Sequence, residues 1–378
     1  MNLTEKNFIL QNNNFDKNIE GSYTWKTPSN IALVKYWGKQ EPQLPENTSI
    51  SFTLDACFTL TTLEYKLKER YSELVSESHH NDFNFEVYFE GEKKDDFKPK
   101  IQKFFERIEE YVPFLKEYDF VIKSRNSFPH SSGIASSASG MSALALCIMS
   151  VEKAIVEQNG LKITDEYFNK KASFLARLGS GSACRSIKGE LIVWGDHKNI
   201  KGSSNLFGVK FPYKIHKNFK NYHDTILLVD EGEKQVSSTV GHKLMYKHPF
   251  AKQRFNQANE NISKIAEVLQ NGDLKQFIAI VESEALSLHA MMMTSNPYFI
   301  LMKPNTLKII NKIWEFRANT ASNICFTLDA GANVHVLFPE SEKERVNNFI
   351  ISELIQFCQE NHYICDRVGE GARLIKNK

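Results

Sequence analysis

The sequence is short of cysteine and of net charge, and both shortages exclude classes of protein. Six of its 378 residues are cysteines (Cys57, Cys147, Cys184, Cys325, Cys358 and Cys365), and no two of them form a CxxC pair. Several lie in apolar stretches, where a free thiol packs as a small hydrophobic group, so we expect reduced thiols and a cytoplasmic protein. Lysine and arginine number 47 against 45 aspartates and glutamates. That balance is too even for a protein that grips a polyanionic backbone, so no nucleic-acid partner is expected.

Long apolar runs are also missing. The most apolar stretch, 141–151, is interrupted by serines and falls far short of the roughly 18 residues that a membrane span needs. We therefore expect a soluble protein with no membrane partner. The first 21 residues are rich in asparagine and contain no apolar segment of signal-peptide length. This composition predicts a flexible N-terminal extension over 1–21.

Three familiar motifs are absent from the chain. It contains neither the GxxxxGK[ST] phosphate-binding loop nor the GxGxxG dinucleotide fingerprint. It has no HExxH, and its 11 histidines are dispersed. We interpret the closeness of His362 and Cys365 as coincidence, so no protein metal site is predicted.

What the sequence does have is ordinary globular composition, with 42% hydrophobic and 24% charged residues. At roughly 150 residues per domain, its length predicts two domains, with three as the alternative. A polar, basic stretch over 196–220 marks a change along the chain, and we place the domains at 22–212 and 213–378. The mixed order of strands and helices favours the α+β class over a repeating βαβ sheet.

The apolar patterns predict the following elements. Strands are expected at 30–36, 49–54, 58–64, 85–89, 119–124, 190–194, 225–229, 324–328, 334–338 and 363–368. Helices are expected at 98–111, 141–155, 165–177, 251–271, 274–291, 305–316 and 341–360. The helix that follows residue 140 is apolar on nearly all sides, which predicts that it is buried.

A loop rich in glycine and serine, 127–140, runs directly into that buried helix. The unpaired N–H groups at the start of a helix, the positive end of its dipole and the hydroxyls of Ser132, Ser136 and Ser137 together suit a phosphate. A small-residue packing segment is the alternative, and we favour it less because it would make poor use of the serines.

Three further positions can carry chemistry. Arg185 follows a second glycine- and serine-rich loop and suits a carboxylate or phosphate, although a surface arginine after a helix cap is as good an interpretation. Asp329 ends an apolar strand beside a glycine turn, where an ordinary Asx-turn is favoured unless the turn faces the phosphate loop. Lys35 lies in an apolar strand and needs an anionic partner, unless that strand is an exposed edge.

The segment PHSSGIASSA at 129–138 resembles the second motif of the GHMP small-molecule kinases. Five further segments are distinctive: NIALVKYWGK at 30–39, NTSIS at 47–51, GSGSACRS at 179–186, VSST at 236–239 and DAGAN at 329–333. Together, and in this order, they resemble the motifs of the diphosphomevalonate decarboxylase family. The resemblance implies a two-domain GHMP kinase fold, with an N-terminal domain like domain 2 of ribosomal protein S5 and a ferredoxin-like C-terminal domain. It also implies a homodimer.

The resemblance further implies a reaction and its residues. ATP would phosphorylate the tertiary hydroxyl of 5-diphosphomevalonate, and loss of phosphate and CO2 would give isopentenyl diphosphate. Asp329 would be the base, supported by Lys35, Arg185 and Ser136. Mg2+ would accompany ATP through phosphates and waters. ATP would be held by Ser132, Gly133, Ile134, Ala135, Ser136, Ser137 and Ala138. The substrate would be held by Tyr36, Trp37, Gly38, Lys39, Ser180, Gly181, Ser182, Ala183, Cys184, Arg185, Ser238 and Thr239, with Lys100 as a further basic candidate.

Some positions depart from the family's pattern. Gln40 stands where an arginine is usual, Ala332 replaces a proline, and Leu286 replaces an asparagine while an acidic residue, Glu284, stays nearby. These changes concern the choice of substrate more than the chemistry. Three alternatives stay open: decarboxylation of 5-phosphomevalonate, phosphorylation at the 3-hydroxyl alone, and a binding protein without activity.

Overall fold

The computed structural model describes residues 3–11, 14–68, 83–129, 134–232 and 238–377, and for Ser238 and Thr239 it describes the backbone alone. Within these residues the chain forms an eight-stranded and a four-stranded sheet, with helices packed against both. The α+β class predicted from the sequence is therefore confirmed.

The eight-stranded sheet is built mainly from the first half of the chain. Its strands are β1 (Glu20–Val34), β4 (Ser49–Leu67), β5 (Asn84–Phe89), β6 (Glu92–Lys93), β7 (Tyr118–Asn126), β8 (Leu191–Trp194), β9 (Val209–Lys210) and β14 (Arg373–Asn377). A separate small hairpin pairs β2 (Lys39–Gln40) with β3 (Leu44–Pro45). The long antiparallel pair β1 and β4 forms the centre of the sheet and carries the chain towards the site.

The two strands predicted at 49–54 and 58–64 are one strand, β4. Its register against β1 jumps from Pro28 opposite Phe58 to Asn30 opposite Thr53, so the strand bulges between these points. Asp366 accepts hydrogen bonds from the backbone N–H groups of Asp55, Ala56 and Cys57 at the bulge. Because these donors are satisfied, the strand continues where its polar residues predicted a break.

Three helices cover one face of this sheet: α1 (Lys98–Ile108), α2 (Ser136–Gln158) and α3 (Asp165–Gly179). Helix α2 is buried on nearly all sides, as predicted. Its 23 residues make it long and apolar enough to cross a membrane, so the expectation that this stretch is too short was wrong. However, 83% of its most apolar window is buried inside the fold, as in the core helix of a globular domain.

The N-terminal residues that the structure describes are not the free extension expected from their composition. Phe8 lies in a short 3-10 helix, Glu5–Phe8, and is fully buried. Its ring stacks on Phe174 of α3 at a centroid distance of 4.6 Å. Asp16 bonds Gln158 at the end of α2. This segment therefore belongs to the first hydrophobic core, because one apolar side chain anchors an otherwise polar stretch.

The four-stranded sheet belongs to the second half of the chain. Its order is β11 (Cys325–Thr327), β12 (Val334–Phe338), β10 (His223–Leu227) and β13 (Tyr363–Arg367), with each neighbouring pair antiparallel. The helices of this half are α4 (Ser238–Leu244), α5 (Ala251–Asn271), α6 (Leu274–Met293), α7 (Pro304–Thr320) and α8 (Lys343–Phe349).

Two predictions for the C-terminal region were wrong. The helix expected at 341–360 is α8 followed by a π-helical turn, Ile350–Leu354, and short 3-10 turns, and Glu360 has a positive φ of 50° that ends helical geometry. The last strand, β14, was missed, and it pairs with β1 in the first sheet. The C-terminal residues thus return to the N-terminal half, whereas the predicted boundaries assign them to the second domain.

Candidate active site

A cleft of about 570 Å3 is lined by residues from both halves of the chain. Lys35, Ser136 and Arg185 come from the first half, and Asp329 and His242 come from the second. Residues far apart in the sequence therefore meet in one concave site that is large enough for small-molecule ligands.

Lys35, which follows the end of β1, pairs with Asp329 across this cleft. Its Nζ lies 3.0 Å from Asp329 Oδ1, and Lys35 is only 1% exposed. Burial lowers the pKa of Lys35, while the Asp329 carboxylate opposes that shift. The expectation that this ammonium needs an anionic partner is confirmed, and the exposed-edge alternative is wrong.

Asp329 follows β11 in the turn that leads to β12. Its side chain is 27% exposed, so it is shielded but still open to the cleft. The backbone carbonyl of Asp329 lies 3.1 Å from Nε2 of the buried His289 on α6. Asp329 and the start of α2 line the same cleft, so the condition for treating Asp329 as a candidate base is met.

Glu284 on α6 binds the backbone of Lys35. Its Oε2 accepts the Lys35 backbone N–H at 2.9 Å, and its Oε1 accepts from Asn261 at 2.7 Å. Arg254 forks onto both carboxylate oxygens of Glu284. All members of this cluster are buried. Helices α5 and α6 thereby hold the strand end that carries the catalytic lysine candidate.

Arg185 lies in the last turn of a short 3-10 segment, Gly181–Ser186, and is only 3% exposed. Its Nε donates to Asn30 Oδ1 at 3.3 Å, and its Nη1 donates to Ser49 Oγ at 2.5 Å. The guanidinium is thus held in one orientation at the wall of the cleft. A surface arginine, the competing interpretation, is excluded by this burial.

The start of α2 supplies the small and hydroxylic wall of the cleft. Ala135, Ser136, Ser137 and Ala138 line it, and Ser137 Oγ lies 3.0 Å from Ser180 Oγ. Ile134 is buried and is not among the described lining residues, but its carbonyl accepts from Ser29. Ser132 and Gly133 lie outside the described residues.

The predicted substrate residues divide into three groups. Those that line the cleft are Tyr36, Trp37, Lys39, Ser180, Gly181, Ser182, Arg185 and Lys100, the last of them solvent-exposed. Gly38, Ala183 and Cys184 are described by the structure but are not among the residues that line the cleft. Gly38 instead makes a turn with a φ of +98°, and the Cys184 thiol is buried with its pKa raised to about 12 by burial. Ser238 and Thr239 begin α4, and their side chains lie outside the description.

Sequence reasoning missed His242 on α4. Its ring lies 4.3 Å from the Tyr36 ring and 4.7 Å from the Trp37 ring, measured between centroids. Its Nδ1 accepts the Gly38 backbone N–H at 3.0 Å. A single histidine beside a glycine forms no periodic pattern that would predict a site residue. The one available signal was that His242 lies close to the VSST segment in the sequence.

Sequence reasoning also missed the apolar end of the cleft. That wall is formed by Val87, Phe89, Phe97, Ile101 and Ile122, together with Met141 and Leu144 of α2. The cleft therefore has a cationic and hydroxylic part beside an apolar part, an arrangement suited to an anionic ligand with a flat or apolar group.

Comparison with protein-family models gives a consistent result over both halves of the chain. Residues 27–205 match the model of the diphosphomevalonate decarboxylase-like N-terminal domain, and residues 225–373 match the mevalonate 5-diphosphate decarboxylase C-terminal domain. The chain belongs to the diphosphomevalonate decarboxylase family. The two matched ranges contain every described cleft residue discussed above.

Individual relatives in the diphosphomevalonate decarboxylase family agree. The diphosphomevalonate decarboxylase of Ganoderma lucidum is 27% identical over 345 residues, covering 87% of this chain and 81% of the relative. The solved structure of MDDEF in complex with MVAPP, AMPPCP and magnesium matches with a TM-score of 0.76 at 27% identity, covering 95% of this chain and all of the other. Mevalonate diphosphate decarboxylase from Staphylococcus aureus matches with a TM-score of 0.76 at 25% identity, over 95% and 99% of the two chains.

Proposed function

We propose that this protein catalyses the ATP-dependent decarboxylation of 5-diphosphomevalonate to isopentenyl diphosphate, releasing ADP, phosphate and CO2. The observation that carries the proposal is the Lys35–Asp329 pair, which lies in one cleft with Arg185 and the serine-rich start of α2. Diphosphomevalonate decarboxylases among the curated relatives support the same activity.

Asp329 acts as the base in this proposal. A tertiary hydroxyl is a crowded nucleophile, so it needs a positioned acceptor for its proton as its oxygen attacks the γ-phosphorus of ATP. The half-buried Asp329 carboxylate meets that need, and the Lys35 ammonium at 3.0 Å holds it in position. Glu284 keeps Lys35 in register with Asp329 through the Lys35 backbone N–H.

Arg185 serves the second half of the reaction. When phosphate leaves, the C3–O bond breaks and positive charge develops at C3, while the C1–C2 bond electrons form the new double bond as CO2 departs. The substrate carboxylate must therefore be held in a fixed orientation. Arg185 presents a guanidinium already held by Asn30 and Ser49, so little reorganisation is needed.

The start of α2 is the proposed site for the phosphates of ATP. Ser136 and Ser137 present hydroxyls there, and the first turn of a long helix presents unpaired N–H groups to an anion. The apolar wall formed by Val87, Phe89 and Ile101 would receive the flat base. Ser132 and Gly133 stay predictions for this site.

Magnesium fits this site as a companion of ATP rather than as a resident metal. Among the residues that the structure describes, no group of three or more His, Cys, Asp and Glu side chains could hold a metal ion. The hard oxygen donors that remain are hydroxyls such as that of Ser136, together with ATP phosphates and water. Bound magnesium would neutralise phosphate charge. MDDEF was solved with AMPPCP and magnesium, which supports this assignment.

A purified-enzyme assay tests the proposed function. The protein is supplied with ATP and, separately, with mevalonate, its 5-phosphate and its 5-diphosphate, and CO2 and ADP are measured. We expect both products from the 5-diphosphate. ADP without CO2 would indicate a 3-kinase, CO2 from the 5-phosphate alone would indicate the other decarboxylase, and neither product would indicate a binding protein.

Finer features of the family are proposed on the same basis. We infer that the first sheet, apart from its C-terminal strand β14, and its helices form a domain like domain 2 of ribosomal protein S5, and that the second sheet forms a ferredoxin-like domain, with the change of domain at 212/213. A homodimer and a cytoplasmic location are also proposed. The location is supported by cysteines that are free thiols, five of them buried.

A further inference from the structure

His242 occupies a position in the cleft that the proposed roles leave unused. It is on α4, in the second half of the chain, and its side chain lines the cleft between Tyr36 and Trp37 of the first half. Helix α4 lies directly on these aromatic rings, because a Cβ added at Gly241 would come within 2.5 Å of the Trp37 indole. The position of the imidazole is therefore set by packing on both sides.

The protonation of this ring follows from its hydrogen bond. Nδ1 accepts the Gly38 backbone N–H at 3.0 Å, so it carries no proton. Burial and the positive charges of Lys39 and Arg185 lower the pKa of His242 to about 3, so the ring is neutral at physiological pH. A neutral ring with an accepting Nδ1 carries its proton on Nε2. Among the described residues, this Nε2 has no hydrogen-bond partner.

The surroundings of His242 favour an anion. Lys39 and Arg185 are the cations that act on the ring, and both line the same cleft. A neutral N–H donor beside two cations can bond a phosphate oxygen without adding a third positive charge to the cleft. Tyr36, whose buried hydroxyl has no described partner, lies at the same corner.

We propose that His242 is a substrate-binding residue that donates its Nε2–H to a phosphate oxygen of the substrate's diphosphate. The proposal rests on the proposed function for the identity of the substrate. It gives His242 a double role, in which Nδ1 holds the KYWGK turn through Gly38 and Nε2 bonds the ligand. A purely structural role would need Nδ1 alone, and this difference makes the two roles separable.

Two uncharged variants separate the two roles. In His242→Asn the amide Oδ1 can replace Nδ1 as the acceptor for Gly38, but nothing reaches the position of Nε2. In His242→Gln the amide N–H can replace the Nε2 donor, but the acceptor for Gly38 is lost. We expect His242→Asn to raise the KM for 5-diphosphomevalonate by about tenfold or more, as expected for loss of a hydrogen bond to a charged group. The increase in His242→Gln should be distinctly smaller.

The matched control is His362→Asn, the same substitution at an exposed histidine outside the cleft. Its KM should equal that of the wild type, and the KM for ATP should be unchanged in His242→Asn. A result in which His242→Gln is impaired as much as His242→Asn, or in which neither variant changes KM, would overturn the proposal and leave only the turn-holding role.

Calorimetric titration with inorganic diphosphate keeps this test independent of turnover. We expect His242→Asn to weaken diphosphate binding more than His242→Gln does. Unchanged diphosphate binding in both variants would overturn the assignment to a phosphate oxygen. If the wild type releases no CO2 from any mevalonate derivative, the proposed function fails, while the diphosphate titration still decides the role of His242.

Discussion

At the scale of single residues, the site depends on a buried ammonium and a partly open carboxylate that belong to different halves of the chain. Lys35 has little contact with water, so Asp329 is its main source of charge compensation. The same contact holds the Asp329 carboxylate at the cleft wall. A change at either residue therefore removes the charge partner of the other.

Replacing Asp329 by asparagine removes the proposed base and keeps the shape of the side chain. We expect Asp329→Asn to lower kcat for CO2 release by at least about 100-fold, since general-base catalysis contributes on this order. ATP should still bind, because the start of α2 is unchanged. Release of CO2 at close to the wild-type rate, measured by trapping labelled CO2, would remove Asp329 from the role of base.

The pH dependence of the reaction tests the state of Lys35. Because burial lowers the pKa of Lys35, its positive charge is lost as pH rises to values below the ordinary lysine range. We expect kcat/KM to fall on that alkaline limb, where Asp329 loses its cationic partner. In Lys35→Arg the guanidinium stays charged, so the limb should move to higher pH even if the rate is lower. An identical limb in the variant would show that another group is titrating.

The single-residue predictions succeeded where the residue type alone required a particular partner. They failed where the environment of the side chain depended on residues far away in the sequence. An ammonium in an apolar strand requires an anion, so the pairing of Lys35 could be anticipated. Arg185 could not be decided, because its burial depends on Asn30 and Ser49 of other strands. His242 was missed because its significance comes from Tyr36, Trp37 and Gly38.

At the scale of elements, long amphipathic or apolar helices were predictable and short or irregular ones were not. Helix α5 has the predicted bounds, and α6 extends the predicted helix by two residues, because both carry a sustained apolar pattern. Strand β14 is exposed throughout, so it has no apolar alternation to detect. The N-terminal segment was misjudged because its attachment depends on Phe8 and a few polar contacts.

The N-terminal attachment gives a direct test at this scale. Phe8 packs on Phe174 and Phe207 in the first core. We expect Phe8→Ala to lower the free energy of unfolding by roughly 3–5 kcal/mol, as for other buried aromatic side chains. Chemical denaturation measures this change. The matched control is Phe250→Ala, a phenylalanine that is 52% exposed and should cost much less. Equal losses in the two variants would contradict the packed position of Phe8.

At the scale of the whole molecule, the two halves of the chain contact each other at the cleft and also through strands β13 and β14. Asp366 on β13 accepts three backbone N–H groups from the bulge of β4, and β14 returns to the first sheet. The α+β class and most of the strands were foreseeable from the sequence pattern. The contact between Asp366 and the β4 bulge was not foreseeable, because a carboxylate that accepts hydrogen bonds from a distant bulge produces no recognisable local sequence pattern.

The joint at Asp366 should contribute measurably to stability. Asparagine at this position keeps one acceptor oxygen and places an N–H2 group against backbone donors. We expect Asp366→Asn to lower the free energy of unfolding by about 1–3 kcal/mol, the usual cost of unsatisfied buried polar groups. Thermal and chemical unfolding check this. Wild-type stability in the variant would contradict the assignment of this carboxylate as the link between the sheets.

The central claim is that the cleft phosphorylates the tertiary hydroxyl before CO2 leaves, and an isotope measurement tests it most directly. The substrate is 5-diphosphomevalonate carrying oxygen-18 at its 3-hydroxyl, and the products are analysed by mass spectrometry after turnover with ATP. If Asp329 activates this hydroxyl to attack ATP, the labelled oxygen leaves with the transferred phosphoryl group and appears in inorganic phosphate. Unlabelled phosphate, with the label released to water, would contradict the account.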